Sequence, residues 1–520
     1  MNSSTKLAHS VIRDLIEVGV SNFVISPGSR NAPLLIALNE ASEKQLIDLH
    51  VKIDERGAAF FALGIAKASN NYAAVICTSG TAAANFHPAA LEALHSNSKL
   101  LIITADRPER LRKTGSNQTT NQVGIYSLIK THDLATSIQI KPLLNGGPVH
   151  LNVQFDEPLL SNVKDSWLSG IKVTPAEYKN NVTGKLEVTT GVLVIGHDRA
   201  GYEVSEVNEF ASKLNWPVIA EDPISFPQAI AHTPLFLSDE KIREKLAPES
   251  IIVIGRTTLS RSTNNFIQLA NKVIVIDPRI SSIDDKRQAD LLLTNLPSEV
   301  TSSSSDTKIW QNILELAASQ IKEIKWSEQL AAITICKLLT NDSALFVGSS
   351  RPVRDIEAFA APRSGVDVFA NRGLAGIDGN ISTAFGIATK YKSSSAIMGD
   401  LTFLHDISAL ANKSKENLRI YVIDNNGGGI FSTLPQAEVE NFDQLFGTPH
   451  NLDLTKVVAG FGVSVSKVSD LKQLQAAISK PIKGLDVVVV EVPSRESNAE
   501  GLKEITQRVS RAVRIGINLA

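Results

Sequence analysis

Two short polar clusters in the last third of the chain carry the side chains best suited to chemistry: Met398-Gly399-Asp400-Leu401 and Asp424-Asn425-Asn426-Gly427. Each follows directly on a predicted strand (Ser395–Gly399 and Leu418–Asp424). Residues just past the C-termini of parallel strands border the ligand crevice of an open α/β sheet. Asp400 offers a hard carboxylate oxygen, and Asn425 offers an amide oxygen 25 residues later, about one strand–helix–strand unit away. With the Gly427 backbone carbonyl they could form part of an octahedral Mg²⁺ shell completed by diphosphate oxygens and water. Gly427, Gly428 and Gly429 would let the backbone approach phosphate, and nearby helix N-termini favour its negative charge. Either half alone is also what an ordinary strand-end turn rich in Asp, Asn and Gly looks like. It is the pairing at this spacing that points to a metal–diphosphate site.

Positioning such clusters requires parallel sheets, and the sequence offers three successive blocks in which short strands alternate with helical patterns. The first block predicts strands at Asn22–Ile25, Gln45–His50, Ala73–Thr78, Lys99–Thr104, Thr136–Ile140 and Val149–Val153. The second predicts Gly191–Ile195, Pro217–Glu221, Ser250–Gly255, Lys272–Asp277 and Asp290–Thr294. The third predicts Ser343–Gly348, Gly365–Ala370, Ser395–Gly399, Leu418–Asp424 and Gly484–Val492. Irregular polar stretches at Lys164–Lys185 and Pro297–Thr307 read as linkers, the second followed by a helical stretch around Trp310–Leu338. The expected fold class is therefore α/β, with three domains that are each a mostly parallel sheet flanked by helices. Their expected bounds are 1–175, 186–300 and 330–520.

Composition agrees with that picture. The 520 residues suggest about three domains, and 43% hydrophobic with 20% charged residues is ordinary for packed cores. A formal net charge of -2 gives no footprint for nucleic acid or an anionic membrane. Cys77 and Cys336 are too few for a disulfide framework and fit a reducing, cytoplasmic setting. Met1–Val20 reads as an amphipathic helix capped by Ser3 or Ser4; it lacks the apolar core of a signal peptide, and no run is long enough to span a membrane. His87, His132 and His405 lie near motifs, but no pair has metal-ligand spacing, so none is assigned a role.

The Asp400 and Asn425 clusters resemble the Gly-Asp…Asn-Asn motif of thiamine-diphosphate enzymes, with Leu401 where a further Gly is usual and Asp424 where Asn usually leads. Such a cofactor works through an aminopyrimidine whose imino form removes the thiazolium C2 proton, and a buried carboxylic acid against N1′ drives that tautomerisation. Glu55, in Asp54-Glu55-Arg56-Gly57, stands at the start of an apolar helix and is the candidate; a glutamate favoured there by the helix dipole is the plainer explanation. By the same resemblance, Ile430 would be the bulky wedge that bends the cofactor, though core packing would equally account for it. Gly399, Leu401, Gly427 and Gly428 would line the diphosphate.

Arginines recur beside Gly, Ser or Pro at predicted strand ends: Ser29-Arg30, Asp106-Arg107, Ser350-Arg351-Pro352-Val353-Arg354 and Asn371-Arg372. Arginine grips carboxylates bidentately and stays charged, which suits substrates bearing several carboxylates. These segments are similar to the 2-succinyl-5-enolpyruvyl-6-hydroxy-3-cyclohexene-1-carboxylate synthase family of menaquinone biosynthesis. The similarity runs through Ile25–Pro33, Asp54–Lys67, Thr78–Pro88, Thr104–Gln122, Gly348–Asp355, Ala370–Gly386, Gly399–Asp406, Asp424–Pro435 and Leu445–Pro449. It covers the first and third blocks well and the second only in general.

The resemblance implies a transferase that decarboxylates 2-oxoglutarate on thiamine diphosphate, with Mg²⁺ or substitute Mn²⁺. The remaining succinic semialdehyde unit then adds 1,4 to isochorismate. It implies that Glu55 activates the cofactor, that Asp400, Asn425 and the Gly427 carbonyl hold the metal, and that Phe431 and Leu434 form an apolar wall. Ser350, Arg354 and Arg372, with Asn117 and Gln118, would receive the 2-oxoglutarate-derived part; Ser29, Arg30 and Arg107 would receive isochorismate. Arg261 falls where the family more usually has a lysine that reaches the second substrate. The first domain would bind the aminopyrimidine and the last the diphosphate, with the active site between subunits of a homodimer or homotetramer. An acetolactate-synthase-like carboligase is the alternative; the many arginines speak against it, since small monoacids need fewer clamps. A degenerate, non-catalytic relative would have lost Glu55 or the Asp400–Asn425 pair. A nicotinamide dehydrogenase lacks its glycine fingerprint, since Gly373–Gly379 is spaced Gly-x-x-Gly-x-x-Gly.

Overall fold

Strands made of unbroken Val, Ile, Leu and Ala must bury both faces, and they do so here by pairing in parallel between helices. The computed structural model describes residues 1–161, 166–175, 184–196, 198–279, 289–303, 305, 307–412 and 415–519. The first sheet contains β1 (Asn22–Ile25), β2 (Asp48–Val51), β3 (Ala73–Cys77), β4 (Leu100–Asp106), β5 (Thr131–Leu134) and β6 (Val149–Gln154), in the order β2-β1-β3-β4-β6-β5. Next in the chain come β7 (Lys185–Glu187), β8 (Gly191–Ile195), β9 (Val218–Ala220), β10 (Ser250–Ile254), β11 (Lys272–Ile276), β12 (Leu291–Leu293) and β13 (Glu299–Thr301). They form a five-stranded sheet, β12-β11-β10-β8-β9, and a two-stranded ribbon of β7 and β13. The third sheet has β14 (Ser343–Val347), β15 (Val366–Ala370), β16 (Ser394–Gly399), β17 (Leu418–Asp424), β18 (Ser464–Val468) and β19 (Leu485–Glu491), ordered β15-β14-β16-β17-β19-β18. Every strand pair among the described residues is parallel. The expected α/β class with three mostly parallel sheets is what the chain adopts.

By compactness the chain forms two units. One is Met1–Lys179 with Asn371–Lys390 and His405–Glu416; the other is Asn180–Ala370 with Tyr391–Leu404 and Asn417–Ala520. In the first unit, one face of the sheet (Phe23, Ile25, Ala74, Ile76, Leu101, Ile103) packs on the N-terminal helix Ser3–Glu17 through Leu7, Val11, Ile12 and Leu15. The helix is capped one residue earlier than expected: the Asn2 side chain accepts from the Thr5 N–H at 2.8 Å while its amide donates to the Pro158 carbonyl at 2.6 Å. Among the described residues no helix is long and apolar enough to cross a membrane.

Three differences from the predicted elements have physical causes. The expected strand Thr136–Ile140 does not form, and its Ile138 is exposed; the edge strand is instead the polar β5, whose Thr131 and Asp133 are bonded to His150 and Asn152 on β6. The stretch Trp310–Leu338 is two helices, Lys308–Ile321 and Glu328–Leu338. β18 is a further edge strand, its Ser-Val-Ser-Lys-Val alternation marking a half-covered surface. Of the expected linker at 164–185, residues 164, 165 and 176–183 lie outside the described residues, as do 304 and 306 of the second linker.

The tightest helix crossing of the first unit joins Glu55–Ser69 to Asn380–Ala388. A Cβ on Gly64 would lie 2.2 Å from the Thr383 carbonyl oxygen, and one on Gly386 would lie 2.0 Å from that of Phe61. Backbone sits on backbone here, so no flexible side chain can give way. Gly64→Val should cost about 3 kcal/mol or more, the upper range for overpacking. The denaturant midpoint followed by circular dichroism will check this; an unchanged midpoint would refute the crossing.

Candidate active site

Sheets one and three reverse their strand order at equivalent places, between β1 and β3 and between β14 and β16. Such reversals open the crevice in which α/β sheets bind ligands. Both are kept narrow by a glycine just past the first strand. A Cβ on Gly28 would lie 2.4 Å from Thr78, and one on Gly348 would lie 2.8 Å from the Met398 Cβ. A helix beside each gap follows a residue of positive φ: Gly80 (86°), after the far strand β3, and Ser350 (77°), after the leading strand β14.

In the first unit the strand ends bring Glu55, Ser29, Arg30, Arg107, Asn117 and Gln118 to one edge. Arg30 donates to the Phe155 carbonyl at 3.1 Å and pairs with Glu157 at 3.2 Å, while its N–H meets the Thr78 hydroxyl at 3.2 Å. Arg107 donates to the Ser79 hydroxyl at 3.2 Å and the Gln118 carbonyl at 3.1 Å; burial first, and then the charge of Arg30, lower its pKa. Glu55, half-buried in the first turn of its helix, accepts weakly from the Asn85 amide at 3.5 Å, and it helps to raise the buried Cys77 thiol. Asn117 and Gln118 are exposed, and Gln118 holds a positive φ of 51°. Arg372 is buried; the backbone N–H groups of the next two residues, Gly373 and Leu374, donate to the Glu92 carboxylate at 2.8 and 2.7 Å.

Beneath the Arg107 loop lies a buried polar layer. Gln122 accepts from the Gly80 N–H at 2.9 Å and donates to the Ala105 carbonyl and the Asn152 amide oxygen. Asn152 donates to Asp106 and Asp133, which both face Arg112. His150 contacts the Thr104 hydroxyl through Nε2 at 2.8 Å and the Thr131 hydroxyl through Nδ1 at 2.9 Å. Desolvation pushes its pKa down to about 3.

In the second unit Asp400 is 2% exposed, at the end of β16 and beside β17. Its oxygens accept from the Leu401 N–H at 2.6 Å and the Gly427 N–H at 2.8 Å. Asp400, Asp424 and His450 present ligand-type atoms within 4.8 Å of one another. His450 Nε2 lies 3.3 Å from Asp400 and 3.5 Å from Asp424, and the bond to Asp400 is the first cause of its raised pKa. Its Nδ1 accepts from the Leu452 N–H at 3.0 Å, so the proton sits on Nε2. In that tautomer His450 donates to the carboxylates and offers no lone pair to a metal. Burial, then the neighbouring Asp400 charge, raise the Asp424 pKa.

Asn425 could serve as a donor to a metal. Its Nδ2 donates to Glu328 at 3.2 Å, while its buried Oδ1 has no hydrogen-bond partner among the described residues. Gly427 has φ 138°, and a Cβ there would lie 2.1 Å from the Gly447 carbonyl oxygen; one on Gly429 would lie 2.5 Å from Asn425 Nδ2. A Cβ on Gly399 would meet nothing within 4 Å, so packing leaves that position open. Half-buried Ile430, Phe431 and Leu434 follow at once, the Phe431 ring 5.5 Å from that of Phe446. Across the reversal point Arg354 donates to the Ser350 carbonyl at 2.7 Å. Arg261 is exposed at the first turn of the helix Arg261–Ile267, past the end of β10.

Of the sequence-predicted residues, Ser29, Arg30, Glu55, Arg107, Asn117, Gln118 and Arg372 fall in the first unit, and Arg261, Ser350, Arg354, Gly399, Asp400, Leu401, Asn425, Gly427, Gly428, Ile430, Phe431 and Leu434 in the second. Reasoning from sequence passed over His450, Glu328 and Gln122. His450 lies one residue beyond the recognised Leu445–Pro449 segment, and Gln122 ends another, so a signal existed. Glu328 sits 97 residues before its partner Asn425 with no local motif.

Three family comparisons match in succession: "Thiamine pyrophosphate enzyme, N-terminal TPP binding domain" over residues 5–125, "Middle domain of thiamine pyrophosphate" over 161–347, and "Thiamine pyrophosphate enzyme, C-terminal TPP binding domain" over 353–492. A 2-succinyl-5-enolpyruvyl-6-hydroxy-3-cyclohexene-1-carboxylate synthase of Nocardioides sp. is 36% identical over 96% of this chain and 97% of its own. The chain belongs to this synthase family. Proteins of the same name from Lysinibacillus sphaericus (34% identical; 97% of this chain, 98% of its own) and Thermobifida fusca (32%; 99% and 100%) are equally similar end to end. Family membership makes this a thiamine-diphosphate enzyme, as the resemblance had implied.

The buried polar layer yields a pH prediction. The His150 pKa is depressed in the fold, so between about 6.5 and about 3 the unfolded chain binds the extra proton and stability falls as pH falls. His150→Gln should flatten that slope in urea midpoints measured from pH 7 to pH 4. An unchanged slope would show that His150 titrates normally.

Proposed function

We propose that this chain condenses 2-oxoglutarate with isochorismate, releasing CO₂ and forming 2-succinyl-5-enolpyruvyl-6-hydroxy-3-cyclohexene-1-carboxylate for menaquinone biosynthesis, with Mg²⁺ (or Mn²⁺) anchoring its thiamine diphosphate. The observation that carries the metal–diphosphate reading is the bare, buried Oδ1 of Asn425 on the strand end beside the deeply buried Asp400. An orphaned amide oxygen next to a carboxylate, with a glycine run behind it, fits a hard cation and a phosphate. Asp400, Asn425 and the Gly427 carbonyl would hold the metal; Gly399, Leu401 and Gly428 would line the diphosphate; and Ile430 would support the cofactor's bent shape.

When bound, thiamine diphosphate supplies the electron sink that lets a 2-oxo acid lose CO₂ and its former carbonyl carbon act as a nucleophile. The protein's part is binding, orientation and one proton. Glu55 would exchange a proton with the aminopyrimidine N1′. Ser350, Arg354 and Arg372, with Asn117 and Gln118, would bind the carboxylates of 2-oxoglutarate. Ser29, Arg30 and Arg107, with Arg261, would bind isochorismate, and Phe431 with Leu434 would exclude water. Two guanidiniums at these strand ends, with Arg30 near enough to act on Arg107 after burial does, suit a ligand bearing carboxylates. The working form we propose is a cytoplasmic homodimer or homotetramer with active sites between subunits. Its domains would span 1–175, 186–300 and 330–520.

Product analysis with both substrates, thiamine diphosphate and Mg²⁺ tests the whole reading; a product formed from pyruvate alone would favour the acetolactate-synthase-like alternative. Glu55→Gln should slow hydrogen–deuterium exchange at the cofactor C2 by roughly two to four orders of magnitude while Mg²⁺-dependent cofactor binding persists. Arg354→Ala should weaken 2-oxoglutarate far more than pyruvate, and equal effects on both KM values would remove the clamp. Light scattering during gel filtration with bound cofactor should give a dimer or larger; an active monomer would contradict the shared site.

A further inference from the structure

Asn425 serves a metal only if its oxygen, not its nitrogen, faces the ion. The two ends of an amide have nearly the same shape, so the choice falls to the hydrogen-bond partners. Glu328 opens the helix Glu328–Leu338 with its side chain 4% exposed. Its Oε2 accepts from Asn425 Nδ2 at 3.2 Å, while Oε1 faces Arg351 Nε at 3.2 Å and accepts from Gln329 at 3.2 Å. The Glu328 N–H donates to Asn498 Oδ1 at 3.1 Å, fixing the helix start. Arg351, 8% exposed, is shared between Glu328 and Asp355. Arg351 and Gln329 both present N–H groups to Oε1, which leaves Oε2 as the acceptor that faces Asn425.

We infer that Glu328 is a positioning residue that sets the amide orientation of Asn425, turning Oδ1 toward the metal. This deepens the metal–diphosphate reading of Asp400 and Asn425 and rests on it. Glu328 Oε2 accepts from the Asn425 NH₂, which leaves the amide oxygen on the other side without a hydrogen-bond partner among the described residues. The Gly429 backbone closes against the same Nδ2 and limits other placements of the side chain. Arg351 joins this pair to the loop of Ser350 and Arg354, so the metal end and the carboxylate-binding end of the second-unit site share one buried charge cluster.

Glu328→Gln reverses the logic at constant size. Arg351 would attract the glutamine oxygen, so the glutamine NH₂ would face Asn425 and the Asn425 amide would turn, placing nitrogen where oxygen belongs. Calorimetric titration of thiamine diphosphate at graded Mg²⁺ should show the Mg²⁺ midpoint rising roughly tenfold or more, the scale typical for loss of a ligand-orienting partner. The far-ultraviolet circular dichroism spectrum without cofactor should match that of wild type, showing that the fold is kept. Adding Asn425→Asp to E328Q supplies a carboxylate with no amide to orient and restores the wild-type charge count. The double variant should return the midpoint to within about threefold of wild type. It also carries the test if E328Q alone does not fold. A wild-type midpoint in E328Q, or a double variant still shifted tenfold, would overturn the inference. Failure of the wild-type chain to bind thiamine diphosphate with Mg²⁺ would overturn the underlying reading as well.

Discussion

A carboxylate as deeply buried as Asp400 needs donors on every side, and the loop that follows β17 is shaped to provide them. The Gly427 N–H, the Leu401 N–H and the His450 Nε2–H all converge on it. Gly427 can point its N–H that way only at a φ that other residues rarely adopt and with no side chain against Gly447. Removing this convergence would leave a buried anion uncompensated, a situation costing several kcal/mol. The turn at Gly427 follows from satisfying this one charge.

The first and third sheets solve the same geometric problem in the same way. A glycine after the leading strand lets two strand ends come close, and a residue of positive φ starts a helix beside the gap, after the far strand in the first sheet and after the leading strand in the third. In the first sheet the gap is dressed with arginines and hydroxyls; in the third it is dressed with a carboxylate, an amide and a serine–arginine pair. The scaffold is common to both, and the chemistry is set by a few side chains at its edge.

Much of this was legible in the sequence because both signals are local. Strand runs such as Val192–Ile195 or Ile251–Ile254 are apolar on every residue, which only a two-sided parallel sheet can bury, and strand-end motifs stay within a few residues of their strands. What stayed hidden was either polar or distant. β5 reads as a loop because Thr131 and Asp133 serve a buried network rather than a core. His450 and Glu328 reach the site across 50 and 97 residues of chain, and their role depends on which nitrogen or oxygen they present. No spacing rule carries that information. The N-terminal cap moved by one residue because Asn2 is held by the Pro158 carbonyl, a long-range contact.

The helix crossing at Gly64 and Gly386 bears on any attempt to take the chain apart. Residues 371–390 are recruited to the first compact unit from far along the polypeptide, and they cover the Phe60, Phe61 and Gly64 side of the helix Glu55–Ser69. A fragment ending near residue 179 would leave that apolar strip wet and sticky. The first sheet is therefore no free-standing module: ribosomal synthesis must proceed past residue 390 before its packing can be completed.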